Sequence, residues 1–142
     1  MTSDRPSAHA RVQLRIAGVT LLLQGVVMEG FTFIALLVLL ATGVDQAEMA
    51  SRATVFALPY LQDNLYLMMA MSGIFAAIRV VGAVGLLRNR LWGLALSAIF
   101  CTVTLTVMVF LMPAGLVDGV ISGAALTLML MAWFGTRSIS SR

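Results

Sequence analysis

The sequence predicts an all-α integral membrane protein: four transmembrane helices in an antiparallel, up-down-up-down bundle with both termini on the cytoplasmic side. Its 142 residues are 61% hydrophobic and only 11% charged. The mean hydropathy of +1.01 also lies far outside the range of soluble domains. Four apolar runs supply the helices, and the arginines that flank these runs indicate their orientation.

The first apolar run covers residues 16–42 and follows a cytoplasmic arm at 1–15. It is long enough to cross a hydrocarbon core of about 30 Å at about 1.5 Å per residue. It also exceeds the roughly 7 to 15 apolar residues of a signal peptide, so we expect a retained helix. The other predicted segments are an outer loop at 43–64, a second span at 65–87, a cytoplasmic turn at 88–90, a third span at 91–112, a fourth span at 114–134 and a cytoplasmic tail at 135–142.

The basic residues are all arginines, nine in number, which favours a GC-rich bacterial genome. Seven of them fall on one side of the predicted bundle and only Arg52 on the other, so both termini are predicted to be cytoplasmic. The positive charge is therefore interpreted as a topology signal of a multi-pass protein in the cell (inner or plasma) membrane, and no nucleic-acid partner is expected. The seven arginines are Arg5, Arg11, Arg15, Arg88, Arg90, Arg137 and Arg142.

The outer loop has two interpretations that the sequence leaves open. Residues 45–58 contain apolar side chains, such as Met49 and Phe56, that suit a short helix in the membrane interface. The alternative is an irregular loop that Pro59 redirects into the second span. About twenty residues are too few to form a catalytic domain by themselves.

Glu29 lies near the centre of the first span, where a charged side chain raises the free energy of insertion by about 2.5 to 3.5 kcal/mol. The apolar residues of that span offset this cost as long as the carboxylate does not contact lipid. Gly18 and Gly25 share the helix face of Glu29, and small residues allow another helix to pack closely there. We therefore expect Glu29 to face protein.

Arg79 in the second span is the predicted partner of Glu29. Counted from the cytoplasmic helix ends at about 1.5 Å per residue, Glu29 is about 18 to 20 Å deep and Arg79 about 12 Å, a difference that an arginine side chain spans. The pair is interpreted either as a structural ion pair or as a site where the carboxylate exchanges a proton or binds a cation. A third interpretation has Arg79 extend toward the headgroups. For an ion pair, combining Glu29→Arg with Arg79→Glu should restore the folding that either single change loses.

Three glycines at four-residue spacing open the fourth span, namely Gly115, Gly119 and Gly123. Small residues at this spacing allow close approach of a second backbone. They predict a ridge that packs against a neighbouring helix or against another subunit.

Polar residues near this ridge are secondary candidates for a site. Asp118 lies in the first turn, where an acid favours the helix dipole, and we expect it to be hydrated near the outer surface with Ser122 one turn further on. Gln24 lies about 140° around an α-helix from Glu29. Because an amide in the membrane needs a hydrogen-bond partner, Gln24 is predicted to contact a different helix from Glu29.

The residue combinations of common enzymes and cofactor sites do not occur in this sequence. His9 is the single histidine and Cys101 the single cysteine, which argues against haem, zinc or disulfide chemistry within one chain. A serine nucleophile with histidine and aspartate, or a phosphate-binding glycine loop, does not occur either. We therefore expect no enzymatic activity, no metal and no cofactor.

Two function classes remain, both with the lipid bilayer as surroundings. The first is a non-enzymatic accessory or assembly subunit that packs against a larger membrane protein complex through its glycines. The second is a small proton-coupled secondary transporter that works as a homo-oligomer through Glu29. A carboxylate that changes protonation near working pH favours the transporter, and one that stays ionised favours the accessory subunit.

Overall fold

The computed structural model describes residues 8–52 and 54–135, which are predominantly helical and contain no β-strand. Residues 1–7 of the predicted arm and 136–142 of the predicted tail lie outside this range, together with Arg5, Arg137 and Arg142. The elements are α1 Ala8–Leu23, a π-helical segment Gln24–Gly30, α2 Phe31–Thr42, α3 Gln46–Arg52, α4 Pro59–Asp63, α5 Leu65–Leu87, α6 Leu91–Val107 and α7 Gly115–Gly135.

Three helices of the described residues are long and apolar enough to cross a membrane, which indicates a membrane protein. They are Ala8–Thr42, Leu65–Leu87 and Gly115–Gly135. The first joins α1, the π-helical segment and α2 without a break, and we call it the first helix. Large apolar side chains are exposed on the helix faces, including Phe31 at 70% and Phe134 at 78%, as expected of a surface in contact with lipid tails.

The fourth apolar helix, α6, is shorter than the predicted third span. It has 17 residues and ends at Val107, whereas the predicted span continues to Met112. The chain beyond Val107 tightens: the amide of Phe110 donates to the carbonyl of Val107 at 2.9 Å, and that of Leu111 to Met108 at 3.1 Å. These bonds span three residues rather than four, and Pro113 has no N–H to continue a helix.

The four apolar helices pack side by side, with the first helix and α6 each in contact with both α5 and α7. The closest approach between helix backbones lies at the end of the molecule that carries residues 88–90, which we call the turn end. A Cβ on Gly85 would lie 2.8 Å from the Cα of Gly93. Only glycine permits this approach between backbones, so the two positions fix how α5 and α6 cross. At the same end Gly18 packs on the side chain of Leu87, which a Cβ would approach to 2.8 Å. The core that follows from this packing includes Leu14, Ala17, Leu21, Ala83, Leu86, Leu94, Met129 and Ala132.

The opposite end, which we call the loop end, carries residues 43–64. The first helix ends at Gly43, whose left-handed conformation (φ 70°) lets its amide reach the carbonyls of Leu39 and Leu40. The segment then forms α3, an irregular stretch at 54–58 that we call the strap, and α4, which has Pro59 in its first turn. It therefore combines two short helices with an irregular stretch, and neither predicted interpretation describes it alone.

The strap is held against the rest of the molecule on two sides. The amide of Ala57 donates to the carbonyl of Met112 at 2.8 Å, and Phe56 forms an isolated bridge with Pro113. On the other side Gln62 accepts from the amides of Val55 and Phe56 at 2.9 and 3.1 Å. The strap consequently has a defined position across the loop end.

Candidate functional site

Arg79 lies at the centre of the polar interior, and its side chain is 2% exposed. Its Nη2 is 3.0 Å from Oε1 of Glu29, and its Nη1 is 2.8 Å from Oδ1 of Asp118. Nη2 also donates to Oγ1 of Thr104 at 3.1 Å, and the guanidinium carbon lies 5.4 Å from the centre of the Phe100 ring. We call Glu29, Arg79, Thr104 and Asp118 the charged cluster. It receives one residue from each of the four apolar helices.

The local fold supplies room for this arginine. Gly25 of the first helix faces α5 at the level of the cluster, and a Cβ there would lie 3.4 Å from the Cβ of Arg79. A larger residue at position 25 would press against the base of the arginine side chain. The small residue that shares a face with Glu29 thus allows the two helices to approach where their charges meet.

The π-helical segment explains how two polar residues of the first helix join one network. Its hydrogen bonds join residues five apart, so residues i and i+5 lie on nearly the same face. Gln24 and Glu29 have this spacing. Gln24 contacts α7 and Glu29 contacts α5, which are different helices, as predicted. Because the two side chains lie close together on the first helix, both join the hydrogen-bonded network around Asp118. The angle of about 140°, which assumes α-helical geometry, did not predict this convergence.

Asp118 is more than a hydrated residue at a helix start, and the prediction of that role needs correction. Its side chain is 24% exposed and accepts from both Arg79 and Gln24. Gln24 also donates to the carbonyl of Asp118 at 3.0 Å and to the hydroxyl of Ser122 at 3.2 Å. The physical reason is that the start of α7 packs on the turn after α6, where Gly119 meets Met108, and that Gln24 and Arg79 extend to Asp118 from the neighbouring helices.

The cluster carries more negative than positive groups. Arg79 is the only basic residue in contact with it within the described ranges, against the two carboxyls of Glu29 and Asp118. Within the cluster, Oε2 of Glu29 and Nε of Arg79 are buried and have no hydrogen-bond partner among the described residues, and the same holds for Oε1 of the neighbouring Gln24. With both carboxyls ionised, the cluster would hold one negative charge in excess, which is costly in a low-dielectric interior.

A cavity of about 260 Å³ adjoins the cluster at the loop end. Glu29, Thr104 and Asp118 form its polar side, while Phe75 and the strap residue Phe56 are among its apolar lining. The cavity is therefore a concave space with a few convergent polar groups in an otherwise apolar wall, which is typical of small-molecule sites.

The predicted helix-packing glycines all face other parts of the same chain, either a helix or the turn after α6. Gly18 faces Leu87 and Gly25 faces Arg79, both on α5. On α7, a Cβ on Gly119 would overlap Met108, and one on Gly123 would lie 3.5 Å from Leu105. A Cβ on Gly115 would lie 2.9 Å from the Cβ of Leu111. The glycine ridge of α7 is thus covered by α6 and the turn after it.

Sequence reasoning missed Thr104 and Phe100 as partners of Arg79. Thr102 and Thr106 of the same helix donate to their own backbone, at 2.9 and 3.0 Å. The signal that distinguishes Thr104 is its four-residue spacing from Phe100, which puts both on the buried face of α6. The cavity and the strap over it had no sequence signal.

Within the described residues, no group of three or more histidine, cysteine, aspartate or glutamate side chains is arranged to hold a metal ion. Comparisons of the chain with protein-family models, with curated proteins and with solved structures found no match.

Proposed function

We propose that this chain is a small secondary transporter with four spans in the bacterial cell membrane. Its binding site is Glu29, which binds a proton or a monovalent cation. Both termini are cytoplasmic in this proposal, and the chain is not an enzyme. The cavity and strap then face the outside of the cell.

The topology is supported by where the charged residues of the described ranges lie. Close packing of Gly18 on Leu87 brings the start of the first helix beside the turn at 88–90. Exposed Arg11 and Arg88 are therefore at one end, the end that the positive-inside rule assigns to the cytoplasm. In the four-span proposal, α6 and the turn that follows it cross the membrane together, because α6 packs between α5 and α7.

The observation that carries the binding proposal is the imbalance of charge in the cluster. A single guanidinium faces two carboxyls, and a buried oxygen of Glu29 has no partner among the described residues. A purely structural ion pair requires only one carboxyl per arginine. A proton or a monovalent cation at Glu29 neutralises the second carboxyl and gives its unpaired oxygen a partner.

The accessory-subunit hypothesis stays a prediction. Its motivation was the glycine ridge of α7, and packing of Gly119 against Met108 gives that ridge a role within the chain. The cluster draws all its residues from one chain, so the binding proposal does not require a homo-oligomer. Intact-complex mass spectrometry after purification in mild detergent tests both points: a stoichiometric larger partner would favour the accessory subunit.

Infrared spectroscopy of the protein in lipid nanodiscs as a function of pH tests the binding proposal directly. The wild-type protein should show the carbonyl band of one protonated carboxyl that disappears as the pH rises, and Glu29→Gln should remove it. The charged groups that face this carboxyl are Arg79 on α5, at 3.0 Å, and Asp118 on α7, which shares Arg79 with it. Asp63→Asn is the matched control, since Asp63 is an exposed carboxylate of the outer connection.

Two results would contradict the assignment. If no carboxyl band appears at any pH at which the protein is folded, the cluster remains fully ionised and acts as a structural ion network. If the band persists in Glu29→Gln and is lost in Asp118→Asn, the proton is bound by Asp118 rather than by Glu29.

A further inference from the structure

A second cavity, of about 270 Å³, lies next to the one at the charged cluster. Thr32, Ser72 and the strap residues Val55 and Phe56 line both cavities. The two spaces therefore adjoin under the strap and differ in chemistry, because the first contains the carboxyls and the second contains no charged side chain.

The first cavity favours a ligand that is positively charged and donates hydrogen bonds. None of the residues that line either cavity is basic. Glu29 lines the first cavity, and its Oε2 is an acceptor with no hydrogen-bond partner among the described residues. An ammonium group with N–H donors satisfies such oxygens, whereas an anion would meet two carboxyls.

The second cavity favours an apolar group whose shape is not tightly specified. Its lining includes three methionines, Met49, Met68 and Met69. Methionine has three rotatable bonds and a polarisable sulfur, so it adapts to irregular partners. The ring of Phe56 adds a flat apolar surface between the two spaces.

Resting on the function proposed above, we propose that the paired cavities bind a primary ammonium compound that carries an apolar group. The ammonium donates to Glu29 in the first cavity, and the apolar group lies among the methionines of the second. The strap residues Val55 and Phe56 contact the ligand where its two parts join.

Binding of tritiated phenylbutylammonium to the protein in nanodiscs tests this proposal, with empty nanodiscs measuring partition into lipid. We expect saturable binding. Neutral phenylbutanol, anionic phenylbutyrate and the trimethylated ammonium are the competitors. The alcohol and the acid should not compete, and the trimethylated compound, which lacks N–H donors, should compete about 10- to 100-fold more weakly, as expected for loss of a charge-assisted hydrogen bond.

Variants at Glu29 and at Val55 separate the contribution of the charge from that of the space shared by the two cavities. Glu29→Gln should weaken binding by about 10- to 100-fold through loss of the same charge-assisted bond. Val55→Trp should fill the space shared by the cavities and abolish binding. Leu58→Trp is its matched control, because Leu58 belongs to the same strap, is 42% exposed and lines neither cavity. That control should bind like the wild-type protein.

Equal competition by phenylbutanol would overturn the proposal, because the site would then not recognise charge. So would an absence of saturable binding, or unchanged binding in Val55→Trp. These results are separable from failure of the proposed function: a proton at Glu29 in the infrared titration without saturable binding of the ammonium refutes only the ligand class. Absence of both refutes the two proposals together.

Discussion

The two ends of this molecule are built on opposite packing rules. At the turn end, glycines and alanines bring the helices into direct backbone contact, as at Gly85 and Gly93. At the loop end, the same helices surround a charged cluster and two cavities of about 260 and 270 Å³ under a strap. A third cavity, of about 230 Å³, lies at the turn end between Leu91 and Trp133, and no charged side chain lines it. Chemistry of the described residues that requires a carboxylate beside a cavity must therefore take place at the loop end.

The two ends also differ in the interactions that stabilise them. The turn end is stabilised by dispersion contacts between closely approaching backbones. The loop end depends on a hydrogen-bonded ion network that is strong only while every member is present. Substitutions at the two ends should therefore differ in size and in how they can be compensated.

Removal of the central cation should have the largest effect. Arg79→Leu leaves Glu29 and Asp118 facing each other without a counter-charge, and we expect a loss of about 3 to 5 kcal/mol in the free energy of unfolding. Unfolding by SDS titration in mild detergent measures it, with Arg88→Leu, an exposed arginine of the turn, as control. Recovery in the triple variant Arg79→Leu, Glu29→Gln, Asp118→Asn would show that unpaired charge is the cause. Equal losses in Arg79→Leu and Arg88→Leu would contradict the network.

A single methyl group at the turn end should have the next largest effect. Gly93→Ala puts a Cβ into the backbone of Gly85 and Leu86, and such overpacking costs about 3 kcal/mol. Gly123→Ala is the matched control, because its Cβ would meet Leu105 at an ordinary 3.5 Å. That control should be neutral or gain up to about 1 kcal/mol from helix propensity. The same titration measures both, and an equal response would refute the contrast between the ends.

Charge exchange should restore stability only in part. The variant with Glu29→Arg and Arg79→Glu regains the pair but places a carboxylate on α5 against Asp118, so about 2 kcal/mol of the loss should remain. Adding Asp118→Asn to the exchange should recover most of that remainder. Full rescue by the exchange alone would mean that Asp118 contributes little to the network, contrary to its 2.8 Å contact with Arg79.

Loosening the strap should have the smallest effect on stability and a local effect on dynamics. Gln62→Ala removes bonds to Val55, Phe56 and the carbonyl of Ala50, at a cost of about 1 kcal/mol. Hydrogen–deuterium exchange of the strap amides should accelerate about fivefold, the equivalent of that free energy. Gln46→Ala is the control, since Gln46 bonds to Asp63 and to the amide of Tyr66 and not to the strap. Unchanged strap exchange in Gln62→Ala would show that Gln62 does not hold the strap.

Much of the fold is visible in the sequence because hydrophobicity along one helix is a local property. The apolar runs correspond to helices, three of them of spanning length. Depth along the two spans predicts Arg79 as the partner of Glu29, with the headgroups as the alternative for the arginine. The structure brings Nη2 and Oε1 of this pair to 3.0 Å.

The rest of the site depends on geometry that composition does not encode. Whether a stretch is α- or π-helical decides if Gln24 and Glu29 converge, and the residues of Gln24–Gly30 carry no distinctive pattern for the π form. The role of Asp118 depends on where α6 ends, a property of the turn after Val107. The strap lies over the cavities because the amide of Ala57 donates to the carbonyl of Met112, which is distant in sequence, and because Gln62 accepts from the amides of Val55 and Phe56.

The short length of α6 has a consequence for the surrounding bilayer in the four-span arrangement. Seventeen helical residues extend about 25 Å, compared with a typical hydrocarbon thickness of about 30 Å. Lipid beside the outer end of α6 must thin, or the exposed apolar side chains of Val109 and Phe110 in the turn must fill the difference. Hydrophobic mismatch would then draw the headgroup layer toward Asp118 on this one flank, making the depth of the charged cluster dependent on lipid chain length.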